Sequence, residues 1–174
     1  IHFFWSFSSM YQLATWNVNS LTVRLPQVLD WLNAHNGEQS IDVLALQETK
    51  TTDDKFPRSA FEDAGYQVAF FGQKTYNGVA LLSPKPLVEI SRGLKGFDDP
   101  QARVITAMFD KTVIVNVYVP NGQAVGSDKY HYKLAFLFHY YFNHISLSII
   151  FFFIIHQHLF SLKVSYLFLK NSLS

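Results

Sequence analysis

The chain has 174 residues, of which 49% are hydrophobic and 16% are charged; this suits one globular domain and excludes two large ones. It contains no cysteine, which excludes a disulfide framework and a thiolate zinc site and predicts an intracellular protein. The net charge of +1 argues against a polybasic tail. Nucleic-acid binding stays open, because it depends on where charge sits locally.

The composition divides the chain into three zones. All 13 acidic residues, all 8 glycines and all 6 prolines lie before residue 134, whereas residues 135–174 are mainly Phe, Leu, Ile, Ser, His and Tyr. Residues 1–9 have a similar composition. Because these amino acids have thymine-rich codons, both ends resemble translated non-coding sequence, with a true start at Met10. We expect a folded segment at 10–134 between a foreign leader, 1–9, and a foreign tail, 135–174.

The segment 134–155 is long enough to cross a bilayer. Polar side chains interrupt it, namely His139, Asn143, His144, Ser146 and Ser148. This pattern is typical of a poor membrane span. The leader lacks the basic start and long apolar centre of a secretory signal.

The first elements of the middle zone alternate between strand and helix. An apolar run at 13–16 leads into a polar loop and predicts a buried strand. Apolar residues at helical spacing predict a helix over 25–36, which Gly37 can end in left-handed geometry. The apolar run 41–46 predicts a second buried strand, followed by the polar residues Gln47 and Glu48.

The remaining elements are shorter. The pattern predicts a helix over 57–64 and strands over 66–71, 79–83 and 87–90, separated by glycine and proline. The segments 103–109 and 112–119 flank Asp110-Lys111 like the arms of a hairpin. The middle zone is therefore predicted to be an α/β or α+β unit.

Polar side chains follow the first two predicted strands. Asn17 ends the first strand and Glu48 follows the second, and such strand ends collect site residues in α/β folds. A carboxylate and an amide offer the oxygen ligands that suit Mg²⁺. The alternative is that Glu48 is a solvated strand-end residue and Asn17 a turn former. Spacing alone leaves both interpretations open.

A third strand ends in the sequence Tyr118-Val119-Pro120-Asn121-Gly122. The Tyr118 hydroxyl and the Asn121 amide could donate to a phosphate, although Pro-Asn-Gly is also an ordinary turn. Arg103 could bind phosphate or form a surface salt bridge. Residues 130–133 could stack on bases or begin a helix packed on the sheet. The tail histidines have no acidic companions to support a metal site.

The order of five motifs carries more information than any one of them. The motifs are Thr15-Trp16-Asn17-Val18-Asn19, Leu44-Ala45-Leu46-Gln47-Glu48-Thr49-Lys50, Tyr76-Asn77-Gly78-Val79-Ala80-Leu81-Leu82-Ser83, Ala102-Arg103-Val104-Ile105 and Val117-Tyr118-Val119-Pro120-Asn121-Gly122. Together they resemble the exodeoxyribonuclease III family of apurinic/apyrimidinic (AP) endonucleases, within the endonuclease/exonuclease/phosphatase superfamily. The resemblance covers residues 10–134.

The resemblance implies a DNA-repair phosphodiesterase that uses Mg²⁺ or Mn²⁺. Its expected partner is double-stranded DNA, cut 5′ to abasic sites or trimmed at 3′ ends. By this resemblance Glu48 and Asn17 hold the metal, and Tyr118 and Asn121 are catalytic side chains at the phosphate.

Three further residues match family positions around the site. By the same resemblance they are expected to contact nucleic acid: Arg103, Lys50 and Gln47.

The chain departs from the family pattern after the middle zone. The family's second half supplies a Gly-Asp-x-Asn motif, a later aspartate and a closing Ser-Asp-His, but no acidic residue follows Asp128 here. We therefore expect half of a four-layered α/β sandwich with one bare apolar sheet face, in an inactive fragment of the enzyme. The alternatives are a non-catalytic DNA-binding or protein-interaction half-domain and, third, a protein tethered to a membrane through 134–155.

Overall fold

The computed structural model describes residues 10–35, 37, 40–144, 150–154 and 165–170. The expected leader, 1–9, lies outside these residues. The strands are β1 (Met10–Asn17), β2 (Val43–Gln47), β3 (Gln67–Phe71), β4 (Val79–Ser83), β5 (Leu87–Arg92), β6 (Val104–Phe109), β7 (Thr112–Val117), β8 (Ile150–Ile154) and β9 (Ser165–Lys170). The α-helices are α1 (Leu21–Ala34), α2 (Arg58–Asp63) and α3 (Asp128–His144).

The strands form two sheets. The first has the order β3-β4-β2-β1-β9, and the second has the order β5-β6-β7-β8. β1 and β2 are parallel and are joined by α1, whereas β5, β6 and β7 form an antiparallel meander. The chain therefore passes from the first sheet to the second between β4 and β5.

The inner faces of the two sheets pack directly against each other. Leu13 and Leu81 of the first sheet share one core cluster with Ile105, Phe109 and Ile114 of the second. All five are fully buried, and each such side chain stabilises the fold by about 1.5–3 kcal/mol relative to exposure. The expectation of a bare sheet face is thus wrong, because one stretch of chain supplies strands to both sheets and each covers the other.

The outer face of the first sheet is covered by α1 and α2. Trp16 and Leu46 of the sheet pack with Leu32 of α1 and Phe61 of α2. α1 begins at Leu21, four residues before the predicted start at 25, because Leu21 is itself fully buried in this cluster. The apolar spacing that predicted the helix is the same spacing that packs it on the sheet.

The outer face of the second sheet is covered by α3. Phe136 and Tyr140 are buried against Val104, Val115 and Val117. The prediction that residues 130–133 belong to a helix packed on a sheet is confirmed. The layers are therefore helix, sheet, sheet and helix, which confirms the predicted α/β sandwich class.

The zone 135–174 contributes the greater part of α3 and also two strands. The β8 backbone pairs in parallel with β7, and the β9 backbone pairs antiparallel with β1. Among the described residues, no helix is long and apolar enough to cross a bilayer. The foreign origin of 135–174 stays a prediction.

Candidate active site

The ends of β1, β2 and β7 converge at one edge of the sandwich. Gln47, the last residue of β2, donates from Nε2 to Oδ1 of Asn116 near the end of β7, over 2.7 Å. The Tyr118 amide donates to the Arg103 carbonyl over 2.8 Å, and the Gly78 amide donates to the Ala102 carbonyl over 2.9 Å. These bonds bring the loops before β4 and β6 to the same edge.

Glu48 and Asn17 are in direct contact at this edge. Asn17 Nδ2 donates to Glu48 Oε1 over 2.7 Å, and Glu48 is only 7% exposed. Asn17 Oδ1 in turn accepts the Asn19 amide over 3.1 Å. The predicted convergence of these two strand ends is confirmed.

The second carboxylate oxygen of Glu48 faces a cation from the protein itself. Lys50 Nζ lies 3.1 Å from Glu48 Oε2 and also donates to Oδ1 of Asn19. Lys50 therefore lies beside the expected metal ligands, at the edge where nucleic-acid contact was expected of it.

The backbone around Glu48 is held in an uncommon conformation. Glu48 has φ +55°, and Asn19 and Lys50 have φ +46° and +52°. For residues other than glycine such conformations cost about 1–3 kcal/mol each and cluster at functional sites. Backbone bonds hold them in place: the Lys50 amide donates to the Asn77 carbonyl over 3.0 Å, and the Ser20 amide donates to the Glu48 carbonyl over 2.8 Å.

Gly78 packs tightly against the loop that carries Glu48. It has φ +87°, and a Cβ added to it would collide with the hydroxyl of Thr49, the neighbour of Glu48. The Thr49 amide also donates to the Gly78 carbonyl over 3.2 Å. Glycine here allows the loop before β4 to support the backbone that carries Glu48.

The donor set at Glu48 fits a hard divalent cation. Glu48 supplies a carboxylate and Asn19 a side-chain amide oxygen. Asn17 gives its amide nitrogen to Glu48, and its Oδ1, which accepts the Asn19 backbone amide, has one further lone pair. Mg²⁺ prefers oxygen ligands with one or two carboxylates. Two of these residues, Glu48 and Asn19, already hold the Lys50 ammonium group through oxygen atoms. The chemistry of the cluster therefore suits Mg²⁺ or Mn²⁺.

Tyr118 and Arg103 form the second part of the site. The Arg103 guanidinium lies 5.0 Å from the centroid of the Tyr118 ring, and its Nη1 donates to the Tyr118 carbonyl over 3.2 Å. Arg103 Nε donates to Oε1 of Gln101 over 3.0 Å. These contacts fix the guanidinium beside the tyrosine.

Asn121 lies on the wall of a pocket of about 290 Å³. Its Oδ1 accepts the Gln123 amide over 3.0 Å. The pocket wall also includes Arg103 and Lys129, so two cationic side chains border it. Asp128, Gln101, Pro120 and Tyr132 complete the wall.

The expectation of a nucleic-acid contact for Gln47 is wrong. Its side chain is fully buried, with Nε2 donating to Oγ1 of Thr15 over 3.0 Å as well as to Asn116. A side chain enclosed between two sheets cannot reach DNA. Gln47 instead connects Thr15 of β1 to Asn116 of β7.

Two further residues support the site but were not predicted from the sequence, Asn116 and Gln101. Asn116 is a fully buried polar residue within a run of β-branched residues, and that break in an apolar strand was the available signal. Gln101 accepts from both Arg103 Nε and Asn77 Nδ2. Nothing in its local sequence distinguishes it from a loop residue.

Carboxylates are sparse at this edge. Within the described residues, no group of three or more His, Asp and Glu side chains lies close enough to share a metal ion. Glu48 is therefore not part of a larger acidic cluster there.

Comparison with known proteins shows the family to which this chain belongs. The model of the Endonuclease/Exonuclease/phosphatase family matches residues 14–158. The chain belongs to this family. The resemblance to exodeoxyribonuclease III and the AP endonucleases is thereby confirmed, and the family match extends past the last sequence motif into the zone 135–174.

Individual relatives support the assignment. Exodeoxyribonuclease III of Haemophilus influenzae is 36% identical over 115 residues, which are 63% of this chain and 42% of that protein. Among solved structures, a 3′ phosphatase from Neisseria bound to product DNA hairpin is 42% identical with a TM-score of 0.72, covering 76% of this chain and 51% of the other. An AP endonuclease from Archaeoglobus fulgidus is 38% identical with a TM-score of 0.71, covering 76% and 50%. The chain thus spans about half the length of these relatives.

Proposed function

We propose that this chain carries the N-terminal half of the active site of a metal-dependent DNA-repair phosphodiesterase of the exodeoxyribonuclease III type. The observation that supports this most directly is the contact between Asn17 and Glu48 at the edge that also carries Tyr118 and Arg103. An oxygen-donor cluster beside phosphate-binding donors suits hydrolysis of a phosphodiester.

In this proposal Glu48 and Asn17 hold Mg²⁺ or Mn²⁺. When bound, the metal supplies positive charge that stabilises the charge developing on the phosphate and on the leaving oxygen. Asn17 orients the Glu48 carboxylate through the bond to Oε1. The strained and well-supported backbone keeps this carboxylate in place before the substrate binds.

Tyr118 and Asn121 are proposed to act on the phosphate itself. The Tyr118 side chain is 6% exposed and braced by the Arg103 guanidinium. Donors held in place before reaction stabilise a developing oxyanion without reorganisation. Asn121 adds an amide at the edge of a pocket whose wall includes the cations Arg103 and Lys129 and the carboxylate Asp128.

The proposed substrate is double-stranded DNA with abasic sites or 3′ ends. The support comes from the relatives, which carry the names exodeoxyribonuclease III, AP endonuclease and 3′ phosphatase bound to product DNA hairpin. In this chain Arg103 and Lys50 are the cations placed to meet the DNA backbone, because base-independent contacts are made mainly to phosphates.

We further propose that the 174-residue chain binds DNA but cleaves it poorly. The described edge offers one buried carboxylate, Glu48, and that group is committed to cation binding. Asp128 lies on the wall of the neighbouring pocket, but among the described residues it does not form a group with Glu48 and a third acid or histidine. We infer that a general base beside Glu48 is lacking, and loss of such a base costs about 10² to 10⁴-fold in rate. This observation also favours a second candidate function, a non-catalytic DNA-binding half-domain.

One experiment separates the two candidates. Residues 10–134 are joined to the second half of Haemophilus influenzae exodeoxyribonuclease III, and incision of an abasic-site duplex is measured with and without Mg²⁺. We expect Mg²⁺-dependent incision by the chimera, little by the 174-residue chain, and loss of about 10² to 10³-fold in the chimera with Glu48→Ala. Equal incision by the Glu48→Ala chimera would exclude the assigned role of Glu48, whereas an inactive but folded chimera that still binds DNA would favour the binding module.

A further inference from the structure

Lys50 occupies an unusual place for a DNA-contacting lysine. Its ammonium group lies 3.1 Å from Glu48 Oε2 and donates to Oδ1 of Asn19. A carboxylate oxygen and an amide oxygen on one cation are the kind of ligands that a hard metal ion also selects. The ammonium group is therefore bound by part of the donor set proposed for the metal.

The backbone restricts how this contact can be broken. The Lys50 and Thr49 amides donate to the carbonyls of Asn77 and Gly78, which anchors this segment to the loop that precedes β4. Only the flexible Lys50 side chain, 27% exposed, is able to swing away, while the Glu48 side chain is 10% exposed and held by Asn17.

We propose that Lys50 is a tethered cation that competes with the divalent metal for Glu48. This inference rests on the proposed metal role of Glu48. With no metal bound, the ammonium group neutralises the nearly buried carboxylate, whose charge would otherwise be costly to desolvate. Metal entry displaces the ammonium group from Oε2, and the freed Lys50 side chain is then available to a DNA phosphate at the same edge.

Competition makes a directional prediction about affinity. The Lys50 ammonium group occupies Glu48 Oε2 at 3.1 Å and repels a second cation at the same oxygen. Replacing Lys50 by an uncharged side chain therefore raises the affinity for Mn²⁺ by about tenfold or more. If Lys50 only stabilised the fold, replacing it would leave Mn²⁺ binding unchanged or weaken it.

The test is a titration of the full 174-residue chain with Mn²⁺, in which electron paramagnetic resonance measures the free ion. The variants are Lys50→Met, Lys50→Arg, Glu48→Gln and, as the matched control, Lys85→Met. Lys85 is paired with Asp42 at 3.8 Å at the β4–β5 turn, the opposite end of β4 from the site. Its removal changes net charge equally without touching Glu48.

We expect tighter Mn²⁺ binding for Lys50→Met, unchanged binding for Lys50→Arg and Lys85→Met, and weaker binding for Glu48→Gln. Equal affinity in Lys50→Met and Lys85→Met overturns the competition while leaving the metal role of Glu48 intact. Unchanged binding in Glu48→Gln overturns the metal role itself. The two failures are thus distinguishable.

A second measurement uses the unmodified chain and avoids any question of variant folding. An amine-acylating reagent is applied with and without Mg²⁺, and the labelled lysines are identified by mass spectrometry. We expect Mg²⁺ to increase labelling at Lys50 and to leave Lys85 unchanged. Labelling of Lys50 that falls or stays constant as Mg²⁺ saturates the site contradicts displacement.

Discussion

The side-chain amides of Gln47 and Asn116 join the two sheets directly behind the candidate site. Gln47 Nε2 donates to Asn116 Oδ1 over 2.7 Å, and Asn116 Nδ2 donates to the carbonyls of Leu46 and Ala80, each over 2.8 Å. Both side chains are fully buried. In an interior of low dielectric such a satisfied network fixes one relative position of the sheets.

The first prediction concerns this network. Asn116→Ala leaves Gln47 without its shortest partner, and a buried unsatisfied group costs about 1–3 kcal/mol. Denaturant unfolding of the two single variants and of the double Gln47→Ala, Asn116→Ala variant measures their coupling. We expect a coupling energy of about 0.5–3 kcal/mol. Strictly additive losses would show that the two amides act independently.

The second prediction concerns the glycine beneath the Glu48 loop. Gly78→Ala destabilises the fold both through a positive φ and through collision with Thr49. Gly96→Ala is the control, because Gly96 has φ +77° but open space around its Cβ position. Thermal unfolding should show a larger loss for Gly78→Ala, by about 1–3 kcal/mol, which is a typical cost of overpacking. Equal losses would assign the whole effect to backbone conformation.

The third prediction tests the role of Tyr118. In the chimera described above, Tyr118→Phe removes one hydroxyl and keeps the ring that packs under Arg103. Loss of one preorganised donor costs about 10² to 10³-fold in rate. Steady-state incision should show this loss in kcat, with Tyr66→Phe as a control because Tyr66 packs in the cluster on the outer face of the first sheet, away from Tyr118. An unchanged kcat would remove Tyr118 from the chemical step.

The fourth prediction concerns alkaline stability. Burial, together with the 2.6 Å bond from its hydroxyl to Asp99 Oδ2, raises the pKa of Tyr132. The folded chain therefore keeps this proton longer than the unfolded chain does. The stabilisation is fully present below about pH 10, the usual tyrosine value, and is lost as pH rises above it.

The measurement is the denaturant midpoint at neutral and alkaline pH. Tyr132→Phe should be less stable than the parent at neutral pH, and the difference should shrink above about pH 10 because phenylalanine has no proton to lose. Tyr141→Phe, a substitution at an exposed position, should leave the pH profile of the parent unchanged. A difference between Tyr132→Phe and the parent that is constant with pH would contradict the assignment.

Much of the fold follows from apolar spacing. The runs that predicted strands at 13–16, 79–83 and 112–119 are the strands of the two sheets, because their side chains fill the clusters between and outside those sheets. The sequence did not predict that this stretch of chain supplies strands to two different sheets. The chain passes from the first sheet to the second after Ser83, and the sequence there contains only proline-containing turn signals.

The sequence predicted those site residues that are polar and stand at the end of a buried strand. Asn17 and Glu48 fit that rule, and their contact confirms it. Gln47 is also a polar residue at the end of a strand. Its side chain nevertheless points into the sandwich, because strand alternation places it there and Asn116 of the other sheet binds it. Tertiary partners of this kind cannot be read from local sequence. The ion pair of Lys50 with Glu48 joins residues only two apart, but it forms on a left-handed backbone that the sequence pattern does not predict.

The crossing between β4 and β5 has a consequence for how the protein is made. By the time Asn121 has left the ribosome, the strands β1 to β7 and the side chains Asn17, Glu48 and Tyr118 have all been synthesised. Folding of N-terminal parts generally begins during translation, while synthesis proceeds at about 5–20 residues per second. The cation-binding edge can therefore assemble while the ribosome is still adding residues to this chain.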